Sequence, residues 1–478
     1  MNRMADLARI EDDLARGWAG AAAFGAAVAL VLGDRSWVFT HGLARPGQAV
    51  TASTPFHICS CAKTFTAAVF SRLVQDGSTT WDTRVHGIVP EFEFSDPAVT
   101  RDCTFRDLAT MRTGLTRDGI AEWGIRQDLS KAVRLARARH MGFVSPFRSA
   151  FSYSNLGYIA LSLAAERLAD KPYPQLVQEL ICAPLGLADS YSAGFTASPD
   201  DDTAIPCLPI GGEPMTVRDL TGPNSEGSAR MQLSGRDAAQ WMRFLLAAHD
   251  GSDVGPISSA SVRAMATPQI AVENPDIRMA PQAGAGCAYG MGLFATRWHD
   301  RTLLRHGGGG RGWRHAMALV PEAKAGVMLM ASAESPLVDG LALQLLEALI
   351  GREPADWGTA FAQAATGAAR VEQERLASLF PADAAMLPQP LRTGTYANAV
   401  TGEVQLRVDE SGIRLVPADA PDFRAKLQPL GGAIYRLDFD EPALSPQPLD
   451  PPFRLRVAGT AAAPVLETSY FGGLRSTA

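Results

Sequence analysis

Lysine is scarce in this chain of 478 residues: five stand against 39 arginines. Acidic residues outnumber basic ones, 50 to 44, so the net charge is −6. That excludes the basic footprint a nucleic-acid binder needs. Long apolar runs are missing as well. The best of them, residues 21–32, falls short of the ~18 residues of a membrane span and reads as a buried strand. Cysteine is sparse, six residues scattered along the chain, which excludes a disulfide scaffold. Cys59 and Cys61 lie too close together for a zinc ligand pair, and no second pair completes them. The N-terminus runs from Arg3 to Asp6 where a secretory leader would place an apolar core. The expected compartment is therefore the cytoplasm, with reduced and mostly buried thiols. Neither nucleic acid nor membrane is an expected partner. No H-E-x-x-H, paired C-x-x-C or Walker loop occurs, so neither a metal nor an organic cofactor is expected. What is present, 46% hydrophobic and 20% charged residues, is an ordinary globular composition.

Apolar positions at Met4, Leu7, Ile10, Leu14 and Trp18 predict a first helix. Residues 26–32 and 36–41 predict two strands joined by Gly33-Asp34-Arg35. Helices are predicted at 60–76, 129–140, 155–169, 173–182, 235–249, 258–266 and 339–350. Strands are predicted at 288–296, 303–306, 315–320 and 325–331. Strands from both ends bracket a helical middle. The expected fold is α+β, one antiparallel sheet flanked by helices with an all-helical insertion. This domain is placed at residues 1–352, ending where Gly351-Arg352-Glu353-Pro354 breaks the last helix. A helical linker is placed at 353–390. Residues 391–478 read as a small antiparallel β domain, barrel-like, from period-two runs at 404–408, 413–416, 434–439, 453–457 and 465–471.

Three segments carry chemistry. Ser60 and Lys63 form the only S-x-x-K of the chain. At i and i+3 on a helix the two side chains share a face, and the hydroxyl sits at the positive end of the helix dipole beside an amine that can take its proton. Read alone, the motif is more often a helix N-cap serine followed by a surface lysine. Tyr153 and Asn155 stand before a predicted helix, where a turn can point a phenol and a carboxamide into one cleft. A packed tyrosine and a capping asparagine would look the same. His306 opens the run Gly307-Gly308-Gly309-Gly310, in which no Cβ would hinder a close approach by a substrate backbone. The glycines also fit a dinucleotide loop, but the strand-like residues 315–320 follow where a helix is required. By itself His306 reads as a hydrogen-bonded histidine in a tight turn.

Taken together and in this order, the segments resemble the serine β-lactamase-like, penicillin-recognising hydrolases, whose signatures include S-x-x-K. Leu108–Leu115, Ala183–Leu187, Gly227–Asp237 and Tyr289–Gly292 resemble further stretches of that family, so the likeness covers roughly residues 15–350. His306–Arg314 looks especially like the D-aminopeptidase branch, as does an appended β domain. The resemblance implies catalytic Ser60, Lys63 and Tyr153, with Asn155, His306, Gly308 and Gly309 binding substrate. It implies acyl transfer: Ser60 attacks a carbonyl, Tyr153 and Lys63 share the base role, and the N–H groups of Ser60 and Gly309 hold the oxyanion. It also implies a small-molecule or short-peptide substrate and β-lactams as inhibitors, and it is compatible with a homodimer. A neutral imidazole in place of a lysine argues against recognition of a substrate carboxylate and permits a free amine. Asp438, Asp440 and Glu441 of the β domain are candidate partners for that amine, although a solvated turn is the commoner reading for each. The expected function is a D-stereospecific aminopeptidase or amidase. A broad carboxylesterase, a β-lactamase or carboxypeptidase, and a binding protein that stalls as an acyl adduct are the alternatives. The α/β-hydrolase fold is disfavoured, since no G-x-S-x-G elbow occurs.

Overall fold

A computed structural model describes residues 10, 12, 14–18, 23–116, 129–192, 202–210, 213–273, 286–379, 391–444, 454–459, 464–468 and 472–476, apart from residues 401, 411, 419, 420 and 432. Met4 and Leu7 of the first predicted helix lie outside the described residues. Ile10, Leu14 and Trp18 are helical and buried.

The sheet is assembled from the two ends of the first domain. Strand β1 (Gly25–Leu32) pairs with β2 (Arg35–Arg45) across the predicted turn. Strands β3 (Arg301–Gly310), β4 (Trp313–Val320) and β5 (Ala325–Ala331) follow each other as hairpins. β5 then returns to β1, with Ala26 opposite Ala331. All nine strands are antiparallel, in the order Gln48–Ala49, β2, β1, β5, β4, β3, Phe294–Trp298, Ala288–Tyr289 and Ile270–Ala271.

The central strands are apolar on both faces because both faces are covered. Ala27, Ala29 and Val31 of β1 join one core, and Ala26, Val28 and Leu30 join the other. The first core holds helices α1 (Ala62–Gln75), α2 (Asn155–Ala169) and α3 (Gly235–His249). The second holds α4 (Leu337–Leu349) and Phe361 of α5 (Trp357–Leu379). α1 is buried from Ala62 to Ser71, with Phe65 stacked on Trp241 of α3 at 4.1 Å and Phe70 against Trp81 and Phe105. A helix covered on all sides has no amphipathic stripe, and a lysine inside it lies in the core.

Several predicted elements change length for local reasons. The expected strand 288–296 is interrupted because Gly292 has φ +82°, and a Cβ there would meet the Lys63 carbonyl at 2.9 Å. β3 runs on through the glycines, where the sequence predicted a strand ending at 306. Helix 129–140 is α-helical only over Lys131–Ala136 before a 3-10 turn. The C-terminal part closes as an eight-stranded antiparallel barrel from Gly394–Asn398 round to Gly472–Ser476. Ala425–Gly431 escaped the period-two reading because Pro429 sits at a bulge in it.

Candidate active site

Ser60 sits in a single 3-10 turn, Cys59–Cys61, that leads into α1. Cys59 has φ +49°, a left-handed conformation that costs a non-glycine residue roughly 1 kcal/mol or more. The Ser60 side chain is partly exposed, and Lys63, one turn further on, is 0% exposed. A molecule entering the site therefore meets the hydroxyl before the amine. Lys63 Nζ lies 3.1 Å from Ser60 Oγ, 2.9 Å from Asn155 Oδ1 and 2.7 Å from the Ser228 carbonyl. The last two atoms can only accept, whereas the hydroxyl can accept or donate. Both the ammonium and the neutral amine thus find partners in one geometry, and a proton can pass between Ser60 and Lys63 without rearrangement. The rings of Tyr153 and Tyr158 flank Nζ at 4.9 and 5.6 Å.

The sequence singles out Ser60, Lys63, Tyr153 and Asn155, and the structure brings all four together. Asn155 opens α2, capped by Ser154 Oγ, which accepts from the Gly157 N–H. The extended residues before it are tied to Met111, since the Ser152 N–H donates to the Met111 carbonyl at 2.8 Å. Ser228 carries no side-chain signature, because it serves through its backbone. The family-like stretch Gly227–Asp237 contains it, and the preceding Gly227 has φ +82°, where a Cβ would stand 2.4 Å from the Tyr158 carbonyl.

β3 runs against the Ser60 turn. A Cβ on Gly308 would stand 2.3 Å from the Ile58 carbonyl, and one on Gly310 3.3 Å from Cys59 Sγ. Gly308 therefore makes room for the enzyme's own Ser60 turn, where the sequence reading assigned that space to a substrate. His306 also departs from its expected place. It is 1% exposed, its Nδ1 is 2.7 Å from the Gly307 carbonyl and its Nε2 3.4 Å from the Tyr289 hydroxyl. A carbonyl only accepts, so the proton sits on Nδ1. Burial, aided by the Lys63 charge, lowers its pKa to about 3 and keeps the ring neutral. His306 packs behind Tyr153, with ring centroids 6.4 Å apart, and shapes the wall of the site from within. Cys61 also packs there: its thiol donates to the His306 carbonyl at 3.3 Å, and burial pushes it up to about 12. All six thiols are free and buried.

The sheet order, the buried S-x-x-K lysine and the Tyr-x-Asn before α2 accompany a match to the Beta-lactamase family over residues 10–352. The chain belongs to that family. Members of the Beta-lactamase family with this fold are serine hydrolases. Unguisins hydrolase ungD' of Aspergillus campestris is 27% identical over 325 residues, 64% of this chain and 58% of that protein. The chain thus spans less than two thirds of the length of that relative. The D-alanyl-D-alanine-carboxypeptidase/endopeptidase AmpH of Escherichia coli K12 is 25% identical over 334 residues, 66% of this chain and 81% of that protein. The D-aminopeptidase of Gluconobacter oxydans is 26% identical over 289 residues, 59% and 50%. The octameric penicillin-binding protein homologue from Pyrococcus abyssi shares the fold with a TM-score of 0.64 at 17% identity, covering 98% of this chain and 100% of that one.

In this Beta-lactamase family chain the acids expected to meet a substrate amine are already paired. Asp438 binds Arg436 at 2.7 Å, Asp440 binds Arg414 at 2.7 Å and Arg424 at 2.6 Å, and Glu441 binds Arg218 at 2.9 Å. Among the described residues no group of three or more His, Cys, Asp or Glu side chains is placed to hold a metal, and no helix is long and apolar enough to cross a membrane.

A buried carboxylate supports the Tyr153 segment. Asp107, with its side chain 0% exposed, receives Arg112 at 2.6 Å and Arg148 at 2.7 Å, and Arg148 lies five residues before Tyr153. Burial opposes its ionised form, but the arginines and Thr104 outweigh burial and lower its pKa. A group lowered in the folded state contributes stability above its unfolded pKa and loses it as pH falls. Asp107→Asn is expected to cost about 2–3 kcal/mol at pH 7. The gap to wild type should close as pH drops from about 4 towards 3. Urea midpoints at the two ends of that range would check it, and a gap that stays constant would contradict it.

Proposed function

We propose that the chain is a serine amidase working through a covalent acyl-enzyme, with a D-stereospecific aminopeptidase specificity that releases small N-terminal D-amino acids. The observation that carries the chemistry is the buried Lys63 amine, 3.1 Å from the partly exposed Ser60 hydroxyl. The D-aminopeptidase relatives support the specificity.

In this reading Ser60 Oγ attacks the scissile carbonyl carbon as its proton moves to Lys63 Nζ. Tyr153 shares that proton in a coupled pair. The N–H groups of Ser60 and Gly309 hold the developing oxyanion, an interaction worth roughly 10²–10³ in rate per donor. Collapse breaks the C–N bond, and the leaving amine takes the proton. Water then attacks the ester carbonyl, gives its proton to the same pair and frees the acid, and the proton returns to Ser60 Oγ. Asn155 orients Lys63 throughout.

The test is initial rates on D-alanine and L-alanine p-nitroanilides, with Ser60→Ala as the blank. Turnover of the D-isomer at least ~10-fold faster, a difference of about 1.4 kcal/mol, is the expected result. Ser60-dependent cleavage of a p-nitrophenyl ester without turnover of either amide would replace this reading with the esterase.

A further inference from the structure

Three consecutive residues, Arg218-Asp219-Leu220, face two ways. Arg218 points to the C-terminal barrel: it binds Glu441 at 2.9 Å and Asp422 at 3.4 Å, and its guanidinium lies 5.0 Å from the centre of the Phe423 ring. Leu220 packs on the barrel core. Asp219 between them points the opposite way and is buried against His57 and Trp313. It accepts from His57 Nδ1 at 2.8 Å, Trp313 Nε1 at 3.0 Å and the Thr221 N–H at 2.7 Å. Burial opposes its ionised form, but His57 and the Thr221 N–H outweigh burial and hold its pKa down at about 2.

Each partner of Asp219 leads to a part of the site. His57 precedes Ser60 by three residues, and its Nε2 accepts from the Arg230 N–H at 3.0 Å. That bond leaves His57 carrying its proton on Nδ1, towards Asp219. Arg230 lies two residues beyond Ser228, whose carbonyl accepts from Lys63. Trp313 stands opposite Gly310 in the β3–β4 hairpin, one residue from Gly309. One carboxylate therefore ties together the strand that delivers the nucleophile, the loop that holds the lysine and the hairpin that carries the assigned oxyanion donor.

We propose that Asp219 is a positioning residue for Ser60 and Lys63, and that the barrel holds it in place through Arg218 and Leu220. The barrel then serves the reaction from outside the cleft, as a prop for preorganised geometry. The idea rests on the assignment of Ser60 as nucleophile but not on the identity of the substrate. A displacement of about 1 Å in such a site costs of order 10²-fold in rate. Asp219→Asn is expected to slow reaction of Ser60 at about that level.

The test uses the full chain and a substrate-independent probe, the rate of Ser60 labelling by a fluorophosphonate, beside kcat and KM on whichever ester or amide turns over. Asp219→Asn should lower the labelling rate and kcat while KM stays within about twofold. Because that variant alters a buried group, Arg218→Ala provides an exposed second one. It should slow labelling at least threefold, with a cooperative melt retained. His57→Asn keeps an N–H where Nδ1 stands and should retain more activity than His57→Leu, an ordering that simple loss of packing would not produce. Arg436→Ala, which breaks an outer barrel pair, should label as wild type. Folded Asp219→Asn or Arg218→Ala proteins that label at the wild-type rate would overturn the proposal and leave the nucleophile assignment intact. Wild-type protein that is not labelled at Ser60 would overturn both.

Discussion

Replacement of Lys63 by methionine is expected to lower kcat by about 10⁴–10⁶-fold, close to the loss from removing Ser60 itself, because residues that act as one catalytic unit do not contribute additively. Methionine keeps the length and the apolar stem of the side chain, so the core around α1 stays filled. What it removes is the proton acceptor 3.1 Å from Ser60 Oγ. It also leaves the Asn155 carboxamide and the Ser228 carbonyl without the donor they share. The Lys63→Met, Ser60→Ala double variant should be no slower than either single one. Single-turnover rates over the four proteins form the measurement. A Lys63→Met enzyme within tenfold of wild type would mean that another group, Tyr153 first, takes the proton alone.

The second large effect is steric. Gly308→Ala places a methyl carbon 2.3 Å from the Ile58 carbonyl, 3.1 Å from the His315 ring and 3.3 Å from Cys61 Sγ. The first of these is backbone and cannot swing aside. Either β3 or the 58–61 turn must shift, and the distance between Ser60 and Gly309 changes with it. Activity is expected to fall about 10²–10³-fold, the cost of a misplaced oxyanion donor. The melting temperature should fall as well, since overpacking a core site typically costs ~1–3 kcal/mol. Wild-type kcat with an unchanged melt would show that the turn accommodates the methyl group without moving Ser60.

Much of the candidate site was legible because side chains carry it. Ser60, Lys63, Tyr153 and Asn155 are distinctive residue types at fixed offsets, and each offset has a geometric meaning on a helix or a turn. The central strands were legible because β1 and β5 are apolar over their whole length. Other parts left little trace. Ser228 acts through a carbonyl that every residue owns. His57 and Asp219 are far apart in the chain, and neither belongs to a local pattern, so only the folded ribbon at Phe56–His57 and the 213–221 segment unite them. His306 was legible as a neutral histidine but not as a buried one, since strand position alone does not say which side of the wall an imidazole takes. The barrel acids looked available in a linear reading, but in the fold arginines remote in sequence claim Asp440 and Glu441, and the near neighbour Arg436 claims Asp438.

The pairing of β1 with β5 has a consequence for biosynthesis. The two strands are separated by about 300 residues of chain. At roughly 5–20 residues per second, translation places tens of seconds between them. During that interval β1 has β2 beside it but no partner on its other edge, and the apolar helix that carries Lys63 and follows Ser60 has no completed sheet to cover it. A nascent chain of this kind depends on late, non-local closure, which is slow and exposes apolar surface. Ribosome-bound intermediates halted before residue 325 should therefore engage chaperones, and those halted after the barrel has emerged should release them.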